Sequence, residues 1–498
     1  MNLLVSRTIN RLSRPEASSA EEIFSVPGVL LACSIVAGLV VYALVFVRPV
    51  SLFSLHPVPG LGLWALVNVR PSLQIELIVG YVVLGVFYFL GWWALGRLRG
   101  ALVWWMVMAG AALAAFVLLF EYPFGAADIF DNIIHGRILA YYHANPFIQI
   151  PASFPYDPFY LYAGWHFSPS AYGPLWELMA GGTARLAGQG FLNNVLAFKL
   201  LPGSFFVGCV LLTASLLRRT APERALRGVW LLAWNPLALT ETFGTGHNDA
   251  VMLFFILLGV WAFSRRAYTP GVVALTAGAL IKYIPVLLLP AALWIALAEL
   301  QGWKRLRFLA LAGTGSCALA MLAYAPFWQG LRTVGIEQHS ALYTTSLAAS
   351  LYYAILPAFH LPITHRLLAW SAAGLTAVFA VWQALRHGGR GDEPAWLRLA
   401  RAGLNILLFY LLVTVLWFQE WYWLWPLGLA ALLPGGPLQG FVAAGSFTVL
   451  LKPLVVAPYL LWRLPLPREA WREPRLTAGV MGLPWLASIY LLARRKWI

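Results

Sequence analysis

The stretch "ALVWWMVMAGAALAAFVLLF", Ala101–Phe120, carries no charged residue and runs directly into "EYPFGAADIFDNIIHGR", Glu121–Arg137. A helix rising about 1.5 Å per residue needs about 20 apolar residues to cross roughly 30 Å of hydrocarbon. Inside that layer every backbone polar group must be bonded within the segment, so the first half reads as a membrane-spanning helix. The second half sets Asp128, Asp131, His135 and Arg137 at the mouth of the span. Ionisable groups are costly so close to hydrocarbon, which makes the cluster a functional candidate.

The same alternation of apolar runs and short charged loops continues along the chain. Its 498 residues are 61% hydrophobic and 11% charged, with a mean hydropathy of +0.74. Soluble domains are about 25% charged, so the expectation is an all-α polytopic membrane protein. Candidate spans fall at 29–47, 75–95, 101–120, 195–217, 228–243, 249–263 and 270–281. They continue at 283–299, 308–328, 366–385, 402–418, 420–433, 438–461 and 476–493. That is a bundle of about 12 to 14 transmembrane helices. The first run is too long and starts too late for a cleaved signal, so it reads as a retained helix.

The net charge of +15 sits mainly in short loops: Arg97 and Arg99, Arg218–Arg227, Arg265 and Arg266, Lys304–Arg307, Arg386–Arg401 and Arg494–Lys496. This positive-inside pattern accounts for the excess without a nucleic-acid partner and predicts cytoplasmic termini. Cys33, Cys209 and Cys317 lie in apolar segments without metal-like spacing, which argues against a disulfide framework or zinc site. Keeping Arg265–Arg266 and Lys304–Arg307 on one side requires a hairpin between them, broken at Lys282–Pro285.

The same parity places Glu121–Asn194 outside, and loops of that length are usually functional or structured. Apolar Ile129, Ile133, Ile134, Ile138 and Tyr141 have helical spacing, predicting an amphipathic helix over Asp128–His143 at the outer membrane surface. A second surface or re-entrant helix is expected from about Gly173. Gln329–His365 and Arg463–Arg475 form further outer loops.

Asp128 and Asp131 read either as N-terminal helix caps or as a site. A carboxylate in apolar surroundings gains proton affinity and suits proton removal from a sugar hydroxyl. In "GTGHNDA", Gly244–Ala250, a tight turn presents His247, Asn248 and Asp249 to a polar ligand, with Glu241 just upstream. Asp249 reads alternatively as the cap of the next helix. Lys282 in "ALIKYIP" either snorkels to headgroups or meets a phosphate. "WFQEWYWLWP", Trp417–Pro426, is an interfacial aromatic belt that also holds a candidate substrate contact, Glu420. No Walker, Rossmann, H-E-x-x-H or G-x-S-x-G motif occurs, so an outward site would need a substrate activated on a lipid. No cofactor is called for, although the acidic cluster leaves room for a divalent cation.

"ADIFDNIIHGRILAYYHANPF", Ala127–Phe147, resembles the first-outer-loop stretch of the GT-C polytopic glycosyltransferases. The likeness is strongest to bacterial mannosyltransferases that use polyprenyl-phosphate mannose. "SPSAYGPLWE", "WNPLALTETFGTGHNDAVM" and "ALIKYIPVLLLP" resemble later landmarks of that group in the same order, covering roughly residues 100 to 300.

The resemblance implies a GT-C-like catalytic core over 101–330 with its outer loop at 121–194. It is preceded by a tail at 1–27 and two additional spans in 28–100, and followed by C-terminal helices and outer loops over 331–498. It implies an inverting transfer from a polyprenyl-phosphate sugar to a glycan, lipid or protein acceptor on the extracytoplasmic face of the cell membrane. Asp128 takes the place of the base, with Asp131 as the alternative. His135, Arg137, Tyr172, Glu241, His247, Asn248, Asp249, Lys282 and Glu420 become substrate-binding candidates, Arg137 or Lys282 offsetting charge on the leaving phosphate. The rival class is a transporter or flippase of lipid-linked sugars. Its coupling carboxylates would sit near the membrane midplane at broken helices, whereas the acidic residues here fall at the outer edge.

Overall fold

In the computed structural model, the protein is described over residues 23–55, 58–330, 333, 344–356, 360, 363–389, 391–450 and 474–493. Most of the basic N-terminal tail, part of the second expected outer loop and nearly all of the third lie outside the described residues. Among the described residues the architecture is helical, with isolated β-bridges and no strand.

Three long helices open it: α1 (Val26–Val41), α2 (Ser72–Ala94) and α3 (Ala101–Leu118). Ser25 starts α1 by accepting a hydrogen bond from Gly28 N at 3.3 Å, and a π-helical turn at Tyr42–Val47 continues it. Seven helices among the described residues are long and apolar enough to cross a membrane: Val26–Val50, Ser72–Ala94, Ala101–Leu118, Phe191–Thr220, Trp303–Phe327, His365–Gly388 and Ala395–Thr414. Shorter apolar helices, such as Asp249–Ser264, pack between them.

Between α3 and the next long span lie α4 (Asp128–Ala140) and α5 (Pro174–Ala187), the two helices expected in the outer loop. Then come α6 (Phe191–Thr220), α7 (Ala225–Ala233), α8 (Asp249–Ser264), α9 (Tyr268–Ala279) and α10 (Leu289–Glu299). The expected break between α9 and α10 is present, its second half a 3-10 turn over Ile284–Leu288.

The basic loops gather at one end of the bundle. The Arg218 guanidinium lies 3.7 Å over the Trp104 ring, Arg227 Nε donates to the Trp92 carbonyl at 3.2 Å, and Arg219 donates to Ser264 Oγ at 2.8 Å. The connections α2–α3, α6–α7 and α8–α9 therefore share that end, as the charge pattern requires. At the far end of α3, Leu52 N donates to the Phe120 carbonyl at 2.8 Å and Tyr122 N to Val50 at 2.7 Å.

Indole donors knit the first spans to the core. Trp230 Nε1 donates to the Tyr88 carbonyl at 2.9 Å, the Tyr88 hydroxyl returns a bond to Leu231 O at 2.8 Å, and Trp234 Nε1 reaches Val107 O at 2.9 Å. Aromatic residues contribute large buried area there while their polar tips stay bonded.

The periodicity that located α4 suggested one polar face open to water. In the fold that face is covered as well, with Asp131, Asn132, His135 and Arg137 all buried. The cause is α5, which lies across it and donates from Trp176 Nε1 to Asn132 Oδ1 at 2.9 Å.

Candidate active site

Asp128 is the first residue of α4, and Ala127 before it provides no side-chain cap. Its carboxylate, 22% exposed, meets the Tyr172 hydroxyl at 3.5 Å and His247 Nε2 at 4.0 Å. Tyr172 arrives from the segment leading into α5. That segment is held at Gly173, whose N–H donates to Ile281 O at 2.8 Å. A Cβ at Gly173 would lie 2.1 Å from the Leu280 carbonyl, so only glycine allows this approach. The "SAYGP" and "LIKY" stretches are therefore joined directly.

His247 follows Gly246, which has the left-handed φ of 76° that the turn needs. Its Nδ1 lies 3.1 Å from Glu241 Oε2 and 2.7 Å from Thr245 Oγ1, and its ring stacks on Trp421 with centroids 3.8 Å apart. Burial works against the charged imidazole, but the Glu241 contact and the charges of Asp128 and Asp249 outweigh it and raise its proton affinity. Glu420, also buried, is a like-charged neighbour of Glu241.

Asp249 does not cap its helix through a side-chain bond to the turn. It is fully buried, with Lys282 Nζ at 2.9 and 3.0 Å from its two oxygens and Trp425 Nε1 donating at 2.6 Å. Lys282, 13% exposed, is enclosed by the rings of Tyr422 at 4.8 Å, Tyr172 at 5.5 Å and Trp425 at 5.5 Å. It points into the protein rather than out to headgroups. Asn248 is buried, and neither its amide nitrogen nor its oxygen has a hydrogen-bond partner. A buried unsatisfied amide costs about 1–3 kcal/mol, which a polar ligand would offset.

The remaining candidates lie apart from this cluster. Asp131 Oδ1 accepts from Gly164 N at 3.0 Å and Trp165 N at 2.9 Å, tying α4 to the loop before α5. Burial, and next the Asp128 charge, push its carboxyl up to about 7 despite those two donors. Arg137 is fully engaged: Nε bonds Asp157 Oδ2 at 2.8 Å, one terminal nitrogen reaches Gln189 at 2.7 Å, and Tyr142 also donates to Asp157. His135 is buried, and burial lowers its pKa to about 4.

Tyr422, Trp421 and Trp425 enter the site from the aromatic belt, and Asp157 joins the Arg137 network from the loop between α4 and α5. Only "WFQEWYWLWP" had signalled any of them. Among the described residues no three His, Cys, Asp or Glu side chains gather in a metal-holding group.

This arrangement defines a class: an all-α polytopic membrane protein with an ionisable, aromatic-walled site built at one end of its bundle. The chain belongs to the family described as alpha-(1->6)-mannopyranosyltransferase, N-terminal domain, whose profile matches residues 27–298. It is 26% identical over 351 residues to a probable alpha-(1->6)-mannopyranosyltransferase of Mycolicibacterium smegmatis, covering 66% of this chain and 57% of the relative. It is 23% identical over 241 residues to alpha-(1->6)-mannopyranosyltransferase A of Mycobacterium tuberculosis, covering 46% and 45%. With the Corynebacterium glutamicum protein of the same name, identity is 22% over 190 residues, covering 37% and 38%. The chain thus spans 57%, 45% and 38% of the lengths of these relatives.

Proposed function

We propose that the protein is a mannosyltransferase of GT-C type, moving the sugar from a polyprenyl-phosphate donor to a glycan, lipid or protein hydroxyl on the extracytoplasmic face. The observation that carries this reading is Tyr172. Its hydroxyl meets Asp128 while its ring lies over Lys282, so an acceptor for a proton and a cation for a phosphate stand one side chain apart. The names of the relatives supply the sugar.

In the proposed reaction Asp128 takes the proton of the acceptor hydroxyl. The freed oxygen forms the new bond to the anomeric carbon in line, as the bond to the phosphate oxygen breaks and polyprenyl phosphate leaves with that electron pair. Lys282 meets the negative charge growing on the phosphate. His247, backed by Glu241, orients the Asp128 carboxylate. Asn248 offers an amide to a sugar hydroxyl.

The test uses protein in liposomes with labelled polyprenyl-phosphate mannose and, separately, nucleotide-linked mannose. Transfer from the lipid donor alone, with opposite anomeric configuration in donor and product, is the expected result. Movement of the lipid-linked sugar across the bilayer without transfer would replace this reading by the transporter.

A further inference from the structure

Lys199 lies in α6, is 0% exposed, and stands outside the cluster just described. A buried ammonium loses several kcal/mol of hydration, and an apolar side chain would fill such a space more cheaply. What it holds gives the reason. Its Nζ donates to the carbonyls of Glu121 and of Leu119, the latter at 3.1 Å. These lie at the C-terminal end of α3, where helical carbonyls lack partners within the helix. From there the chain runs directly to Asp128. The stem of the same lysine packs under the turn that carries His247, its Cγ being 3.4 Å from where a Cβ on Gly246 would sit.

Glu121 completes the contact. Its carboxyl rests flush on Gly244, with Oε2 only 2.3 Å from the position of a Cβ there, and Oε2 has no hydrogen-bond partner. Burial pushes this carboxyl up to about 8 against the pull of Lys199. Two stretches far apart in sequence, one leading to Asp128 and one to His247, are thus seated on one buried pair.

We propose that Lys199 and Glu121 form a clasp that fixes the separation of Asp128 and His247, and are positioning residues for the transfer. The proposal rests on the transferase reading. Lys199→Met removes the donors, Gly244→Ala forces the turn off Glu121, and Glu121→Gln keeps both the shape and the backbone carbonyl. A misplacement of about 1 Å can cost about 10²-fold, so Lys199→Met and Gly244→Ala should lower kcat ~10- to 100-fold. Donor KM should stay within about twofold because Lys282 is untouched. Glu121→Gln should turn over like wild type.

Hydrogen exchange gives a readout independent of turnover: in Lys199→Met, peptides covering 119–128 and 244–249 should loosen together. Wild-type kcat in a folded Lys199→Met protein, or loosening of one segment alone, overturns the clasp. So does a Glu121→Gln loss as deep as that of Asp128→Asn, which would place Glu121 in the proton chemistry. Should Lys199→Met not fold, Gly244→Ala decides by the same kcat criterion. Failure of the transferase reading looks different: wild type does not transfer from the lipid donor, or Asp128→Asn runs at the wild-type rate.

Discussion

Replacing Asp128 by Asn separates chemistry from structure at one atom. The side chain is the first of α4 and caps nothing, so its structural share is the favourable placement of a negative charge near a helix N-terminus. That is worth about 0.3–1 kcal/mol. The 3.5 Å contact with Tyr172 is long, and an amide oxygen can still accept it. A general base contributes typically about 10²–10⁴-fold in rate, or ~3–5 kcal/mol of barrier, because an amide cannot take the proton. The loss of turnover should therefore far exceed the loss of stability. The assay is transfer from polyprenyl-phosphate mannose in liposomes, with thermal unfolding and donor binding measured on the same preparations. Asp128→Asn should bind donor normally and unfold within a few degrees of wild type. Turnover above about one tenth of wild type would remove Asp128 as the base, since base catalysis is worth at least about 10²-fold.

Lys282→Ala should weaken donor binding and leave Asp249 as an unpaired buried carboxylate, so it should also unfold earlier, whereas Lys282→Arg should retain part of the affinity; equal donor affinity in wild type and Lys282→Ala would remove the phosphate contact. Asp131→Asn should keep both backbone bonds and retain most turnover, and a dead variant would return Asp131 to the chemistry. The Asp131 carboxyl titrates at about 7 when folded against 3.8 ordinarily, so the folded chain holds the extra proton between those values. Its contribution to stability therefore falls as pH rises from about 4 to about 7, and the Asn variant should lose that part of the slope. A cysteine placed at the exposed Ser153 should react with an impermeant maleimide in intact cells, and reaction only after permeabilisation would reverse the proposed face.

Long spans such as Ala101–Leu118, the helical break at Lys282 and the acidic run were legible in sequence because each is a local property. An apolar run of about 20 residues must be a helix in hydrocarbon whatever surrounds it, and basic loops sort to one side by their own charge. Periodicity also placed α4, since a 3.6-residue repeat needs no partner to be seen.

What each ionisable residue touches is decided by contacts between distant segments. Asp128 and Asp131 look alike along the chain; only the fold brings the Gly164 and Trp165 N–H groups onto Asp131 and leaves Asp128 facing Tyr172 and His247. Arg137 resembled a phosphate ligand until Asp157 and Gln189 closed on it. Lys199 drew no notice inside an apolar run, because its value lies in the Leu119 and Glu121 carbonyls, about eighty residues away in sequence. Hydropathy is summed over neighbours in the chain, whereas desolvation and hydrogen bonding are decided by neighbours in space.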